Sequence, residues 1–91
     1  MSELGNIVYI GKKFYARYIL ALLYQFNVLK HNRVVVKARG KAISRAVHIV
    51  ETLRRTIMPE LRYEKIVTGS VTIESSGKRI RVSTIEIELS K

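Results

Sequence analysis

Two short segments carry the chemistry that stands out in this sequence: Gly11-Lys12-Lys13 and Arg39-Gly40-Lys41. Each lies where an apolar β-type run gives way to a helical pattern, so each sets cations at the start of a helix. A helix N-terminus exposes unpaired N–H groups and the positive end of its dipole, which favour anions and acidic side chains. Cations placed there cost about 0.3 kcal/mol or more per charge, and neither segment offers Ser, Thr, Asp or Asn at the expected cap. The placement becomes favourable when a phosphate arrives, because backbone N–H groups and ammonium groups then share one anion. Arg17 and Arg45, further along the same two helices, extend the set. A third group, Lys78, Arg79 and Arg81, follows the turn signal Ser75-Ser76-Gly77. In a β-α-β-α unit both strand-to-helix junctions fall at one end of the sheet, so Lys12, Lys13, Arg39 and Lys41 are expected to cluster.

Other chemistries find no support. Walker A spacing is missing, and Gly11 stands alone rather than in G-x-G-x-x-G. His31 and His48 have no matching carboxylate or cysteine in the pattern and read as surface histidines. Glu86 and Glu88 alternate with Ile85 and Ile87, which marks them as the solvent side of a strand. With no cysteine there is neither a disulfide nor a Cys-based metal site; no metal and no cofactor is expected, and no enzymatic activity. The five tyrosines and two phenylalanines raise the idea of a stacking platform for single strands. Most of them fall on apolar stripes, where a core role is expected; Tyr63 is the one read as a candidate for exposure.

The charge balance points the same way as the junctions. Seventeen Lys and Arg against seven acids give a net charge of +10, and no acid occurs between Glu3 and Glu51. A charge serving solubility alone would mix signs. An excess of one sign over half the chain fits a polyanion, with nucleic acid ahead of an acidic protein or an anionic membrane surface. The apolar stretch from Tyr18 to Tyr24 is far short of the roughly 20 residues a membrane span requires, and Arg17 interrupts the pattern of a signal peptide. It reads as a core helix of an intracellular protein.

These residues must be positioned by a small α+β unit, one domain over residues 1–91. Ile7 to Ile10 reads as a short buried strand. Phe14 to Val28 reads as a helix, with Tyr15, Ile19, Leu22, Leu23 and Phe26 on one stripe and Phe14, Tyr18 and Ala21 on a second patch. Val34-Val35-Val36 opens a second strand that reads as buried on both faces, as in a parallel pair. Lys41 to Ile57 forms a second helix, with Ile43, Ala46, Val47, Val50, Leu53 and Ile57 on its apolar stripe and Pro59 beyond its end. Arg62 to Glu74 and Lys78 to Leu89 form a hairpin. Right-handed crossovers place both helices on one face of a four-stranded mixed sheet, a two-layer sandwich. Along the hairpin the apolar alternation slips near Thr68-Gly69 and again at Ser83-Thr84. That coincidence predicts a bulge or bend, beyond which residues 70–83 leave the sheet as an arm. In the implied register Val71 faces Val82 and Ile73 faces Ile80.

Three blocks of the sequence then resemble a known family. Ile10-Gly11-Lys12-Lys13, Lys37-Ala38-Arg39-Gly40-Lys41-Ala42-Ile43-Ser44-Arg45-Ala46-Val47 and Arg81-Val82-Ser83-Thr84-Ile85-Glu86-Ile87 look like the Alba family of archaeal chromatin proteins. The likeness runs in order over nearly the whole chain. It implies a fold like the C-terminal domain of bacterial translation initiation factor three. It also implies a cytoplasmic, chromosome-associated dimer, either a homodimer or a heterodimer with a family paralogue. Such a dimer would coat or condense double-stranded DNA without marked sequence preference, and often bind RNA. Under it, Lys12 and Lys13 match phosphate-contacting lysines, and Arg39 the basic residue ending the second strand. Lys41 stands where many members have Arg, while Lys78, Arg79 and Arg81 lie in an arm that reaches toward the minor groove. Two positions depart from the family pattern. Phe14 replaces a common Pro, which predicts a changed entry to the first helix. Ile57 replaces a Phe that in some members packs dimer against dimer, so side-by-side cooperative coating is not implied for this chain.

Overall fold

The computed structural model describes residues 6–91. Its elements run β1 (Ile7–Tyr9), α1 (Tyr15–Leu23), β2 (Arg33–Arg39), α2 (Ala42–Thr56), β3 (Arg62–Ser75) and β4 (Lys78–Ser90). Helix α1 continues without a break into a π-helical turn, Tyr24–Val28. The four strands form one mixed sheet in the order β1-β2-β4-β3. β1 and β2 are parallel, Ile7 opposite Val35; β4 runs antiparallel to both β2 and β3. The α+β order and the parallel pair expected from the valine run are both present.

Two helices lie on one face of this sheet because their apolar stripes and one side of the strands can only be dried together. Tyr18, Leu22 and Phe26 of the first helix and Ala46, Ile49, Val50 and Leu53 of α2 pack on Val34, Val36, Ala38, Ile85, Ile87 and Leu89. Each fully buried Leu, Ile or Phe in this layer contributes about 1.5–3 kcal/mol. The alternation along β4 is strict here: Ile85, Ile87 and Leu89 are buried, and Glu86 is exposed between them.

Several assignments differ in detail from the sequence reading. Tyr18, placed on a secondary patch, is a core residue, 8% exposed. On α2, Ile49 is fully buried while Val47, and Ile57 just past the helix end, are 41% and 53% exposed; the helix is rotated so that its contact line runs through 46, 49, 50 and 53. Val35 is only half-buried and Tyr9 is 68% exposed. Both point to the sheet face away from the helices, and no helix or strand among the described residues packs over that face. A run of three valines thus marks a strand with one dry face, not two.

The hairpin register is the expected one, with Gly69 opposite Thr84, Val71 opposite Val82 and Ile73 opposite Ile80. The bulge expected at Gly69 and Thr84 is not there. The ladder is continuous through that level, and its one irregularity lies between Tyr63 and Lys65. The slip in apolar parity has another cause. Pairing of β4 with β2 ends at Thr84 opposite Arg39, so beyond that point the hairpin has no helix layer over it. Apolar side chains there are free to take the other face of an unbroken pleat, where Val71 and Ile80 remain 42% and 43% exposed. Ser76 and Gly77 both take positive φ, 52° and 77°, the geometry of the two-residue type I′ turn that matches strand twist. Projection of this hairpin past β2 contributes to a longest dimension of 43 Å against 28 and 21 Å.

Candidate nucleic-acid interface

The ends of β1 and β2, the starts of both helices and the base of the arm share one corner of the molecule. Gly40 makes this meeting possible. It takes φ +59°, and an added Cβ would sit 3.4 Å from Val82 at the arm base; its N–H donates to the Ser83 carbonyl at 2.9 Å. Neither helix has a side-chain cap at its N-terminus, nor an acid in its first turn. The cap positions are Phe14 and Lys41; the Arg17 and Ile43 N–H groups donate to the Phe14 and Gly40 carbonyls, and no side chain caps the others, which suits an external acceptor. Phe14 has φ −61°, the value a proline ring would impose. At this dihedral Phe14 adopts a backbone conformation open to Pro as well.

A basin of about 370 Å³ opens at this corner, with Lys12, Arg39, Lys41 and Arg45 on its walls. Lys13 is exposed on the adjoining loop, and Arg17 is exposed on the first turn of α1, outside the basin. Lys78, Arg79 and Arg81 are exposed on the arm. Arg79 and Arg81 alternate in phase with Ile85, which sets them on the helix side of the hairpin. Among the described residues the ion pairs join Arg33 to Glu64 and Glu88, Lys37 to Glu86, and Arg54 to Glu51. None of the nine candidate cations takes part. Glu64, Glu86 and Glu88 are drawn off to the open sheet face and Glu51 to the far end of α2, so no described glutamate lines the basin; on the arm, Glu74 stands across from Arg79.

Arg45 has a structural task that its charge alone did not reveal. Its Nε–H donates to the Gly11 carbonyl at 2.9 Å, and a second guanidinium N–H donates to the Lys13 carbonyl. From the other side, the Gly11 and Lys13 N–H groups both donate to the Tyr18 hydroxyl, at 3.0 and 2.9 Å. The loop carrying Lys12 and Lys13 is thus clamped at four backbone groups by one residue from each helix. The Arg45 guanidinium also lies 4.5 Å from the centre of the Tyr15 ring, which packs 4.9 Å from the ring of His48. No sequence signal singled out Tyr18, since its hydroxyl acts at the rim of a side chain otherwise indistinguishable from core.

Two further polar clusters hold the frame. At the end of α2, Tyr63 and Arg54 both donate to Glu51, and Arg54 Nε–H reaches the Leu61 carbonyl at 3.1 Å. The hydrogen bond from Tyr63, with help from Arg54, holds the Glu51 carboxyl below its ordinary value against the opposing effect of desolvation. Burial, then the bond to Glu51, pushes the Tyr63 phenol up to about 12. Tyr63, a candidate for stacking, is therefore committed to the fold and only partly accessible. On the open face, a hydrogen bond from Ser90 keeps Glu64 below the usual carboxylate range, and the bond to Glu88 raises Arg33. Among the described residues no group of His, Cys, Asp and Glu is arranged to hold a metal, and no helix is long and apolar enough to cross a membrane.

A family model described as Alba matches residues 6–70. The chain is 48% identical over 89 residues to the DNA/RNA-binding protein Alba of Methanococcus maripaludis, covering 97% of this chain and all of that one. It is 41% identical to the protein of the same name from Thermoplasma acidophilum, over 94% of this chain and 96% of the relative. Its fold is similar to the solved Alba of Thermoplasma volcanium, with a TM-score of 0.89, 41% identity and coverage of 94% and 100% of the two chains. Similarity extends to ALBA1 of Trypanosoma brucei at a TM-score of 0.76 and 28% identity, over 96% of this chain and 69% of that one.

Proposed function

The chain belongs to the Alba family, and from that premise we propose that it is a double-stranded DNA-binding protein that coats or condenses DNA without sequence preference, acting as a dimer. The observation that carries this reading is the unpaired positive corner, where cations from two strand-to-helix junctions meet two uncapped helix ends. Lys12, Lys13, Arg39 and Lys41 hold phosphate there, and Arg17 adds to the field from α1. Arg45 shapes the loop and lends its charge. The arms, with Lys78, Arg79 and Arg81, follow the duplex groove. Phosphate contacts fix position without reading sequence, so affinity is expected to vary little between unrelated duplexes. The protein works by binding alone, with no cofactor, in the cytoplasm on the chromosome, as one nucleic-acid-binding domain paired with its own copy or a paralogue.

A second reading, an RNA-binding protein or ribonucleoprotein subunit, is favoured by the relatives, whose names give both DNA and RNA as ligands. Measuring affinities for two unrelated DNA duplexes, an RNA duplex and a structured RNA at one salt concentration separates the two. Equal, tight binding to both DNA duplexes supports the first reading. A clear preference for structured RNA overturns it in favour of the second.

A further inference from the structure

Arg39 lies between two depressions. On one side is the phosphate basin; on the other, at the same end of the open sheet face, is a cleft of about 460 Å³. That is within the size range of small-molecule sites. Tyr9 and Val71 wall the cleft, Lys37, Thr84 and Glu86 present polar groups to it, and Arg39 forms the shared rim. Tyr9 is the most exposed tyrosine of the described core and hairpin, at 68%, and Lys37 Nζ lies 5.9 Å from its ring centre. A hydrophobic ring left in solvent beside cations is the arrangement on which bases of single strands stack.

We propose that this cleft seats one unpaired nucleobase of a single-stranded nucleic acid, its phosphate held on the basin side of Arg39. The assignment rests on the reading of that corner as a phosphate site. The polar groups suit a base edge. Lys37 Nζ lies 3.6 Å from a Glu86 oxygen, so a donor and an acceptor stand side by side, as do the acceptor and donor groups on the pairing edge of a base. In a duplex those edges are paired and the faces stacked, so only an unpaired nucleotide offers both to the cleft. RNA and single-stranded DNA share this chemistry.

The test compares the unaltered protein with Tyr9→Ala and Tyr9→Phe on labelled decamers of RNA and of single-stranded DNA and on a DNA duplex, with sedimentation of each variant. Tyr9→Ala is expected to weaken single-strand binding about fivefold or more, on RNA, DNA or both, with less than a twofold change on the duplex. Tyr9→Phe keeps the ring and is expected to bind like the unaltered protein. Equal effects of Tyr9→Ala on single strands and duplex, or none on either, would overturn the assignment. A change in oligomeric state in Tyr9→Ala would overturn it too, giving this face to a second copy of the chain. Absence of duplex binding by the unaltered protein would fall on the DNA reading and not on this site, which is judged by the single-strand ratio.

Discussion

Replacing both Lys12 and Lys13 by Ala gives the sharpest test of the positive corner, because its effect appears in a slope as well as an affinity. Both side chains are exposed, and neither is paired with an acid among the described residues. Their removal therefore deletes charge without leaving a buried partner. In a dimer the double substitution removes four cations. If each neutralises one phosphate, the slope of log K against log salt becomes shallower by about 3.6, at roughly 0.9 per phosphate. Raising salt fourfold then narrows the affinity gap between variant and unaltered protein by about 100-fold, on the same relation. The control is Lys37→Ala with Lys65→Ala, which removes the same formal charge. Lys37 is paired with Glu86, and Lys65 lines a crevice with Glu86 and Glu88 on the open face, so its duplex slope is expected to stay within about 1 of the unaltered value. Fluorescence anisotropy on a duplex at four or five salt concentrations reads both. If the two double variants flatten the slope equally, net charge and not the corner governs binding. If neither does, these lysines do not meet phosphate.

The clamp, the Gly40 corner and the Tyr63–Glu51 pair each yield an outcome of their own. Arg45→Lys keeps the charge but cannot bridge the Gly11 and Lys13 carbonyls as a fork. It and Tyr18→Phe are each expected to weaken duplex binding severalfold, the latter costing about 1 kcal/mol in stability; binding by Arg45→Lys at the unaltered level would make Arg45 a mere counter-charge. Gly40→Ala forces a side chain into positive φ against Val82 and should destabilise by about 1 kcal/mol or more, read as a lower urea midpoint with the same m-value. Because the Tyr63 phenol sits at about 12 in the fold against an ordinary 10.0, the folded state holds the proton more tightly, and stability falls as pH rises from 10 through 12. Tyr63→Phe should remove that alkaline decline, and an unchanged profile in pH-dependent thermal melts would contradict it. Glu51, shifted the opposite way, contributes above its unfolded pKa and loses that contribution as pH falls through its folded one.

Much of this molecule was legible from the order of its residues. Period-3.6 and period-2 patterns located both helices and all four strands, because those periods are what one dry side requires. Missing caps and acids at Phe14 and Lys41 are sequence facts, and so is the pairing of Val71 with Val82 once the turn at Ser76-Gly77 is fixed. Other features had to wait for the packed chain. Periodicity tells that α2 has a dry stripe but not its rotation to a few tens of degrees, so the pattern leaves Ile49 off the stripe and puts Val47 and Ile57 on it. A parity slip reads the same whether the backbone bulges or the core merely ends, and only the stop of β2 at Arg39 distinguishes them. Charge counting could not know that Glu51, Glu64, Glu86 and Glu88 would stay out of the basin, or that Arg45 from α2 and Tyr18 from α1 would together hold four backbone groups of the Lys12–Lys13 loop. Local order of residues fixes which elements form, since their hydrogen bonds and dry stripes are short-range. Which side chains meet depends on how the layers dock, and that is decided by contacts between residues far apart in the chain.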